Sequence, residues 1–177
     1  QFISQPLYSS PVVEVWGKTG RFGGDWGNIV ALLIGRYEYA LDPTNRLNVP
    51  PKFRESLTQE KGTNFFLSSG REGCLYLFLP AQFEKLSNDL QNFTMKDKEV
   101  ERAATRKFFR DAMEAELDSA GRILIPEYLK KHAGLGSRVL VHGAGHRAEI
   151  WDWRRWNAYM KSKVEPAYRS VSKTLPI

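Results

Sequence analysis

The chain has 177 residues, 42% of them hydrophobic and 12% aromatic, which is enough to bury the core of one compact domain or of two small halves. A formal net charge of +6 favours a polyanionic partner, most simply nucleic acid, although many basic proteins bind none. The sequence has no apolar run of about 18 residues, so no membrane span is expected. The single cysteine, Cys74, excludes an intrachain disulfide and is typical of a reducing cytoplasm.

Residues 1–31 differ from the rest of the chain, because they are rich in Gly and Ser and lack the repeated pattern described below. We expect them to form a disordered or non-native N-terminal extension.

From residue 36 onward the sequence predicts the same series of elements twice: strand, turn, strand, short helix, hairpin, and the start of another helix. Residues 36–83 form the first copy, and residues 112–156 form the second. The offset between the copies is 76 residues at first and falls to 73 by the second hairpin strand. The first copy therefore has three extra residues, which we place near TQEKG (residues 58–62).

A short motif is the clearest part of this repeat. LDPTNRLNVP, at residues 41–50, is echoed by LDSAGRILIP at residues 117–126. Each copy is too small to bury its own apolar face, so strands of both are expected to share one core. The predicted fold is therefore α+β and β-rich, with the two tandem repeats forming a barrel-like pseudo-dimer with short helices.

Two segments lie outside the repeats. Residues 84–111 are predicted to be a helical connector, and residues 157–177 a C-terminal helix and tail. Arg102, Arg106 and Arg110 recur every four residues and therefore share one face of the connector. A solvated helix face is the favoured interpretation of this stripe, and a DNA-contacting face is the alternative.

In each copy of the motif an Asp precedes an Arg by four residues across a tight turn. The Asp can accept hydrogen bonds from turn amides and can also pair with the Arg and aim its guanidinium. An aimed guanidinium matches a phosphate or the N7 and O6 edge of guanine. A salt bridge that only locks the turn is an equally weighted alternative.

Three stretches, taken in order, resemble the MraZ family of bacterial transcriptional regulators: GRYEYALDPTNRLNVPPKFRESL, LDSAGRILIPEYLKKHAGL and EIWDWRRW. The resemblance covers about residues 32–164. It implies tandem SpoVT/AbrB-type domains, a ring-shaped homo-oligomer, and a cytoplasmic, nucleoid-associated location. It also implies regulation of the division and cell wall gene cluster through double-stranded promoter DNA with short G-rich direct repeats of the TGGG type.

The resemblance assigns roles to the motif residues. Arg46 and Arg122 are the expected base readers, and Asp42 and Asp118 are expected to orient them. Lys52 and Arg54 are expected phosphate contacts, on position and charge alone. No cofactor, metal or catalytic residue is expected.

The resemblance also suggests a source for residues 1–31. Because Trp has one codon and Gly codons begin with GG, Trp16-Gly17 and Trp26-Gly27 must both be encoded by TGGGGN, ten codons apart. That spacing is close to three turns of DNA at about 10–10.5 bp per turn. The hypothesis is that these residues are translated operator DNA and that the protein starts at Leu32 or Val30.

Other function classes have weaker support in the sequence. His142 and His146, with Glu149 as a third ligand, form a poor metal candidate because the glycines between them favour a hairpin. Cys74 lies in an apolar strand and is expected to be a core residue rather than a nucleophile. A nuclease using Asp42 and Asp118 is disfavoured by the Arg in each motif. The main alternative is an oligomeric structural or partner-binding protein with only non-specific DNA affinity. Trp151, Trp153 and Trp156 could form its interface, although Trp151 and Trp156 match core-facing positions of the repeat.

Overall fold

The computed structural model describes residues 31–172 and residue 174. Both Trp-Gly pairs and all but the last residue of the expected N-terminal extension lie outside this part of the chain.

Each repeat supplies four strands and two helices in the predicted order. The first repeat comprises β1 (Arg36–Ala40), β2 (Arg46–Asn48), α1 (Pro51–Gln59), β3 (Asn64–Ser69), β4 (Leu75–Phe78) and α2 (Pro80–Asn92). Helix α3 (Lys98–Asp111) joins it to the second repeat. The second repeat comprises β5 (Met113–Glu116), β6 (Arg122–Leu124), α4 (Glu127–Ala133), β7 (Arg138–Gly143), β8 (Ala148–Asp152) and α5 (Trp153–Tyr159). A π-helical turn (Met160–Val164) and α6 (Glu165–Val171) follow.

The two repeats exchange strands. Six strands form one antiparallel sheet in the order β1-β7-β8-β4-β3-β5, and β2 pairs with β6 in a separate antiparallel ribbon. Strand β1 of the first repeat thus extends the hairpin of the second, and β5 of the second extends the hairpin of the first. The prediction that the repeats share one core in an α+β pseudo-dimer is confirmed.

The prediction of a barrel-like closure is wrong in one respect, because the larger sheet is open. Strands β1 and β5 are its edges, and within the described residues they pair on one side only. The ribbon covers a face of this sheet instead of joining its edges by hydrogen bonds.

A pseudo-twofold axis relates the repeats. In the ribbon Leu47 lies opposite Ile123, the residue 76 positions later, and both are fully buried. At the centre of the large sheet Tyr76 lies opposite its equivalent Glu149. The axis therefore passes through both pairs.

The strand register corrects the position of the extra residues. Tyr37 pairs with Val141, and its equivalent Met113 pairs with Leu67, so the offset at β3 and β7 is 74. Two of the three extra residues thus lie between β2 and β3, where α1 has nine residues and α4 has seven. The third lies in the hairpin of the first repeat.

The core lies between the ribbon, helices α1 and α4, and one face of the large sheet. It includes alternate residues of the strands and the apolar face of each short helix: Phe65, Leu67, Leu75, Leu77, Val139, Val141, Ile150, Phe53, Leu57, Leu129 and Ala133. Helix α4 ends at Ala133, and the next residue, Gly134, caps it in a left-handed conformation with φ of 59°. This packing fixes the ribbon rigidly against the body of the protein.

The opposite face of the large sheet carries the longer helices. Phe83 of α2 stacks on Phe66 at 4.2 Å between ring centroids and on Phe108 of α3 at 5.9 Å. In the second repeat Trp151 packs against Trp156 and Tyr159. Cys74, also on this face, is fully buried beside Leu140 and Trp151, which confirms that it is a core residue. Burial raises the pKa of its thiol to about 12.

The connector is not one helix. Residues 93–97 separate α2 from α3, and Asp97 caps α3 by accepting hydrogen bonds from the amides of Glu99 and Val100. Arg102, Arg106 and Arg110 are all exposed, and Arg110 pairs with Asp111 at 3.0 Å. No helix in the described part of the chain is long and apolar enough to cross a membrane.

Candidate nucleic-acid interface

The Asp of the first motif holds its turn through backbone contacts. Asp42 Oδ1 accepts hydrogen bonds from the amides of Thr44 and Arg46, both at 2.8 Å, and from the Thr44 hydroxyl at 2.7 Å. The Asn45 amide closes the turn by donating to the Asp42 carbonyl at 2.9 Å. These contacts, led by the Arg46 amide, lower the pKa of Asp42 below its ordinary value.

The second motif repeats this geometry. Asp118 Oδ1 accepts hydrogen bonds from the amides of Ala120 at 2.9 Å and Arg122 at 3.0 Å. The Gly121 amide donates to the Asp118 carbonyl at 2.9 Å. The pKa of Asp118 is lowered, chiefly by the Arg122 amide. Both Asp side chains therefore build their turns, as the sequence predicts.

The guanidinium groups are shared between repeats, because the ribbon brings the two turns together. Arg46 Nη1 donates to Asp118 Oδ2 at 3.2 Å, and Arg122 Nη1 donates to Asp42 Oδ2 at 3.3 Å. Arg122 also contacts Asp118 of its own motif, with Nε at 2.9 Å from Oδ2. The prediction that Asp pairs with the Arg of the same motif is correct for the second repeat and wrong for the first.

The two arginines are unequally constrained. Arg122 uses all three of its nitrogens on carboxylates, whereas Arg46 uses Nη1 alone. The Nε and Nη2 of Arg46 have no protein acceptor in the part of the chain that is described. The Arg46 side chain is 40% exposed, so it is accessible from solvent. Asp118 can therefore orient Arg46 and leave a bidentate edge available.

A cationic side chain from a short helix covers each turn. Asn45 and its equivalent Gly121 both have a left-handed backbone, with φ of 61° and 75°. Lys130 of α4 donates to Asn45 Oδ1 at 2.7 Å. A β-carbon at Gly121 would lie 2.5 Å from Nη1 of Arg54, so the Arg54 guanidinium rests directly on this turn.

Of the two predicted phosphate contacts, Arg54 thus lies against the second motif, with its Nε buried and unpaired. Lys52 lies exposed on α1. Lys130 was not predicted from the sequence, although it lies 76 residues after Arg54 and the repeat offset identifies it as the equivalent residue.

The outward face of the ribbon carries four side chains. Alternate residues point inward at Leu47 and Ile123, which leaves Arg46, Asn48, Arg122 and Leu124 on the other face. Asn48 and Leu124 were not predicted as site residues from the sequence, because their exposure depends on which face of the ribbon the core covers.

The carboxylates are poorly placed for metal chemistry. Asp42 and Asp118 direct their oxygens at amides and guanidinium groups, as described above, so few lone pairs remain for a cation. Within the described residues, no cluster of three or more His, Cys, Asp and Glu side chains could hold a metal ion.

His142 and Glu149, two of the residues considered as metal ligands, instead pair with each other near the centre of the large sheet. Nε2 of His142 lies 3.3 Å from Oε2 of Glu149, which also accepts a hydrogen bond from Trp151. Burial alone would raise the pKa of Glu149, but His142, Trp151 and Arg147 outweigh it and lower the pKa to about 2.

Comparison with known proteins places this arrangement in a family. The sequence profile of the MraZ protein family, described as antitoxin-like, matches residues 32–107 and again residues 108–174. The "Transcriptional regulator MraZ" of Heliobacterium modesticaldum is 39% identical over 146 residues, which cover 81% of this chain and 96% of that protein. Those of Alkaliphilus oremlandii and Clostridium beijerinckii are 40% and 37% identical, over 72% and 76% of this chain and 86% and 91% of theirs. With both repeats matched in order, the chain belongs to the MraZ family.

Proposed function

We propose that this protein is a DNA-binding transcriptional regulator that recognises G-rich direct repeats of the TGGG type through Arg46 and Arg122. The observation that carries the proposal is the shared outward face of β2 and β6, where the two motif arginines lie at diagonal positions on either side of the Leu47–Ile123 pair. Membership of a family whose relatives are named transcriptional regulators supports the same function class.

The ribbon suits the major groove of DNA. A two-stranded antiparallel ribbon fits a groove about 12 Å wide, and arginine bidentate to guanine is the commonest specific contact there. The larger sheet fixes the ribbon from behind, so little conformational freedom is lost on binding. Arg46, with two free nitrogens, is the principal base reader, and Arg122 contributes after loosening one of its carboxylate contacts.

Basic side chains beside the ribbon would contact phosphates. Arg54 and Lys130 cover the two motif turns, and Lys52 lies exposed on α1. The formal net charge of +6 favours the approach to DNA as a whole. The carboxylates of Asp42 and Asp118 are neutralised locally by the arginines that they hold.

Several further parts of the proposal follow the family assignment. A ring-shaped homo-oligomer would present several ribbons to successive repeats, so weak contacts would add by avidity. The target would be promoter DNA of the division and cell wall gene cluster, and the protein would act in the cytoplasm at the nucleoid. No catalytic step is part of this function.

The test is gel retardation of a duplex with several TGGG repeats, beside a duplex of the same composition in scrambled order. The proteins are wild type, Arg46→Ala, Arg122→Ala and the double variant. Arg169→Ala is the matched control, because its side chain is 81% exposed on α6. We expect Arg46→Ala to lose about 5- to 150-fold in preference for the repeat duplex, the double variant more, and the control nothing.

Three outcomes would contradict the proposal. Unchanged preference in the double variant would remove base reading by the ribbon. Equal loss on both duplexes, with a lower dependence on salt, would reduce the arginines to phosphate contacts. No preference in the wild type would favour an oligomeric structural or partner-binding protein with non-specific DNA affinity.

A further inference from the structure

We infer that Asn48 and Leu124 select the base pairs on the two sides of the guanine run and so give the ribbon a direction. This inference rests on the proposed function and deepens it. It concerns the two side chains that share the outward face of the ribbon with the arginines.

The register places each of these residues beside an arginine. Arg46 lies directly opposite Leu124, and Asn48 lies directly opposite Arg122. Side chains of such cross-strand pairs are about 4.5–5.5 Å apart at their β-carbons. Since bases stack about 3.4 Å apart, each neighbour would fall one or two base pairs from the guanine that its arginine reads.

Both side chains are available for contact. Leu124 is 48% exposed, whereas Leu47 and Ile123 on the inward face of the ribbon are fully buried. Asn48 is exposed, and its side-chain amide has no hydrogen-bond partner within the described residues. An exposed leucine between two arginines adds nothing to the core, and an unpaired amide there adds nothing to the ribbon.

The chemistry of the two side chains differs, although their positions are equivalent. An Asn side chain can hydrogen-bond adenine through N6 and N7, whereas an apolar side chain can contact the C5 methyl of thymine. The Arg122 side would therefore prefer adenine beside its guanine, and the Arg46 side would prefer thymine.

This difference matters because the repeats are otherwise related by a pseudo-twofold axis. A ribbon with identical halves would bind a site equally well in either orientation. Direct repeats, however, all run in one direction, so their reader needs two unlike halves. Asn48 and Leu124 add a difference in base preference to the unequal carboxylate contacts of Arg46 and Arg122.

The first experiment measures DNA binding by fluorescence anisotropy at a fixed salt concentration. It uses a set of duplexes in which each position flanking the guanine run carries each of the four base pairs in turn. We expect Asn48→Ala to lose a preference of at least about fivefold at one flank and Leu124→Ala a preference of about fourfold at the other. Asn92→Ala and Val171→Ala are matched controls, since both residues are exposed on helices, α2 and α6, that contribute no residue to the ribbon.

Base analogues identify the atoms involved. Deoxyuridine lacks the thymine methyl group, and 7-deazaadenine lacks N7. Deoxyuridine should weaken the wild type but not Leu124→Ala, and 7-deazaadenine should weaken the wild type but not Asn48→Ala. The double exchange Asn48→Leu with Leu124→Asn should exchange the two flank preferences.

The inference would be overturned by flank preferences that are the same in wild type and both alanine variants, or by a double exchange that leaves their order unchanged. Arg46→Ala separates this failure from that of the proposed function. If Arg46→Ala still abolishes the preference for guanine while the flank variants behave as wild type, only the present inference is wrong. Circular dichroism of each variant shows whether the fold is kept.

Discussion

The turns of the two motifs share a backbone but differ in what their side chains do. Arg122 binds both carboxylates with three nitrogens, whereas Arg46 binds one carboxylate with one nitrogen. Gly121 is covered by Arg54, whereas Asn45 is hydrogen-bonded to Lys130. A duplicated motif has thus kept its scaffold, while one copy holds the pair of turns together and the other leaves its arginine available.

The largest expected effect tests whether the two halves are equivalent where they share a core. Leu47→Ala and Ile123→Ala should each lower the free energy of unfolding by about 2–5 kcal/mol, because both side chains are fully buried on the pseudo-twofold axis. Urea unfolding of the intact chain measures this. Leu124→Ala, on the exposed face of β6, should change the free energy of unfolding by less than about 0.5 kcal/mol. A near-neutral result at either buried position would mean that the halves do not share this core.

The second prediction concerns the other pair on the axis, Tyr76 and Glu149, where only the second repeat has a carboxylate. The pKa of Glu149 is about 2 in the folded state against 4.5 ordinarily, so the unfolded state binds more protons between these values. The stabilisation is complete above about pH 4.5 and is lost as the pH falls towards 2.

The difference in pKa of Glu149 corresponds to about 3 kcal/mol between pH 5 and pH 2. As the pH falls over this range, the free energy of unfolding should decrease less in Glu149→Gln than in the wild type, by that amount. The reason is that the glutamine side chain does not titrate. Chemical denaturation at a series of pH values measures both proteins. Parallel curves would show that Glu149 is not held as a carboxylate by His142 and Arg147.

The smallest effect sharpens the comparison of the arginines themselves. Arg122→Ala should lower the free energy of unfolding by about 1 kcal/mol and Arg46→Ala by less than about 0.5 kcal/mol, since partly exposed ion pairs contribute little. For DNA preference the order should be reversed, with Arg46→Ala having the larger effect. Urea unfolding at low and high salt measures the two stability changes, and the difference between them should shrink as salt screens the ion pairs. Equal costs would show that Arg122 has no special structural role.

Much of the fold could be predicted because the repeat is visible in the sequence. Residues such as Phe53 and Leu57, one helical turn apart after two prolines, define α1 without any tertiary information. The hairpins follow from apolar runs separated by glycine-bearing turns. The division of the connector at residues 93–97 was not predicted, because that stretch has neither glycine nor proline to break the helix.

The candidate site could be predicted only in part. The spacing of Asp42 and Arg46 indicates a turn held by the carboxylate, and the geometry agrees. That spacing suggests pairing within one motif, however, and it cannot show that the guanidinium of Arg46 reaches Asp118 of the other repeat. Lys130 could have been predicted from the repeat offset, whereas Asn48 and Leu124 look like ordinary strand residues until their exposure is known.

The sequence by itself determined two equivalent units, their helices and strands, the turns closed by Asp42 and Asp118, and the family, because these depend on local spacing and on the 76-residue offset. The tertiary structure alone decided that β1 and β5 exchange between the units, that the sheet stays open, and that the arginines pair across the axis. The physical reason is that neither unit buries its apolar face alone, so the partners of each strand and of each guanidinium come from residues distant in the chain.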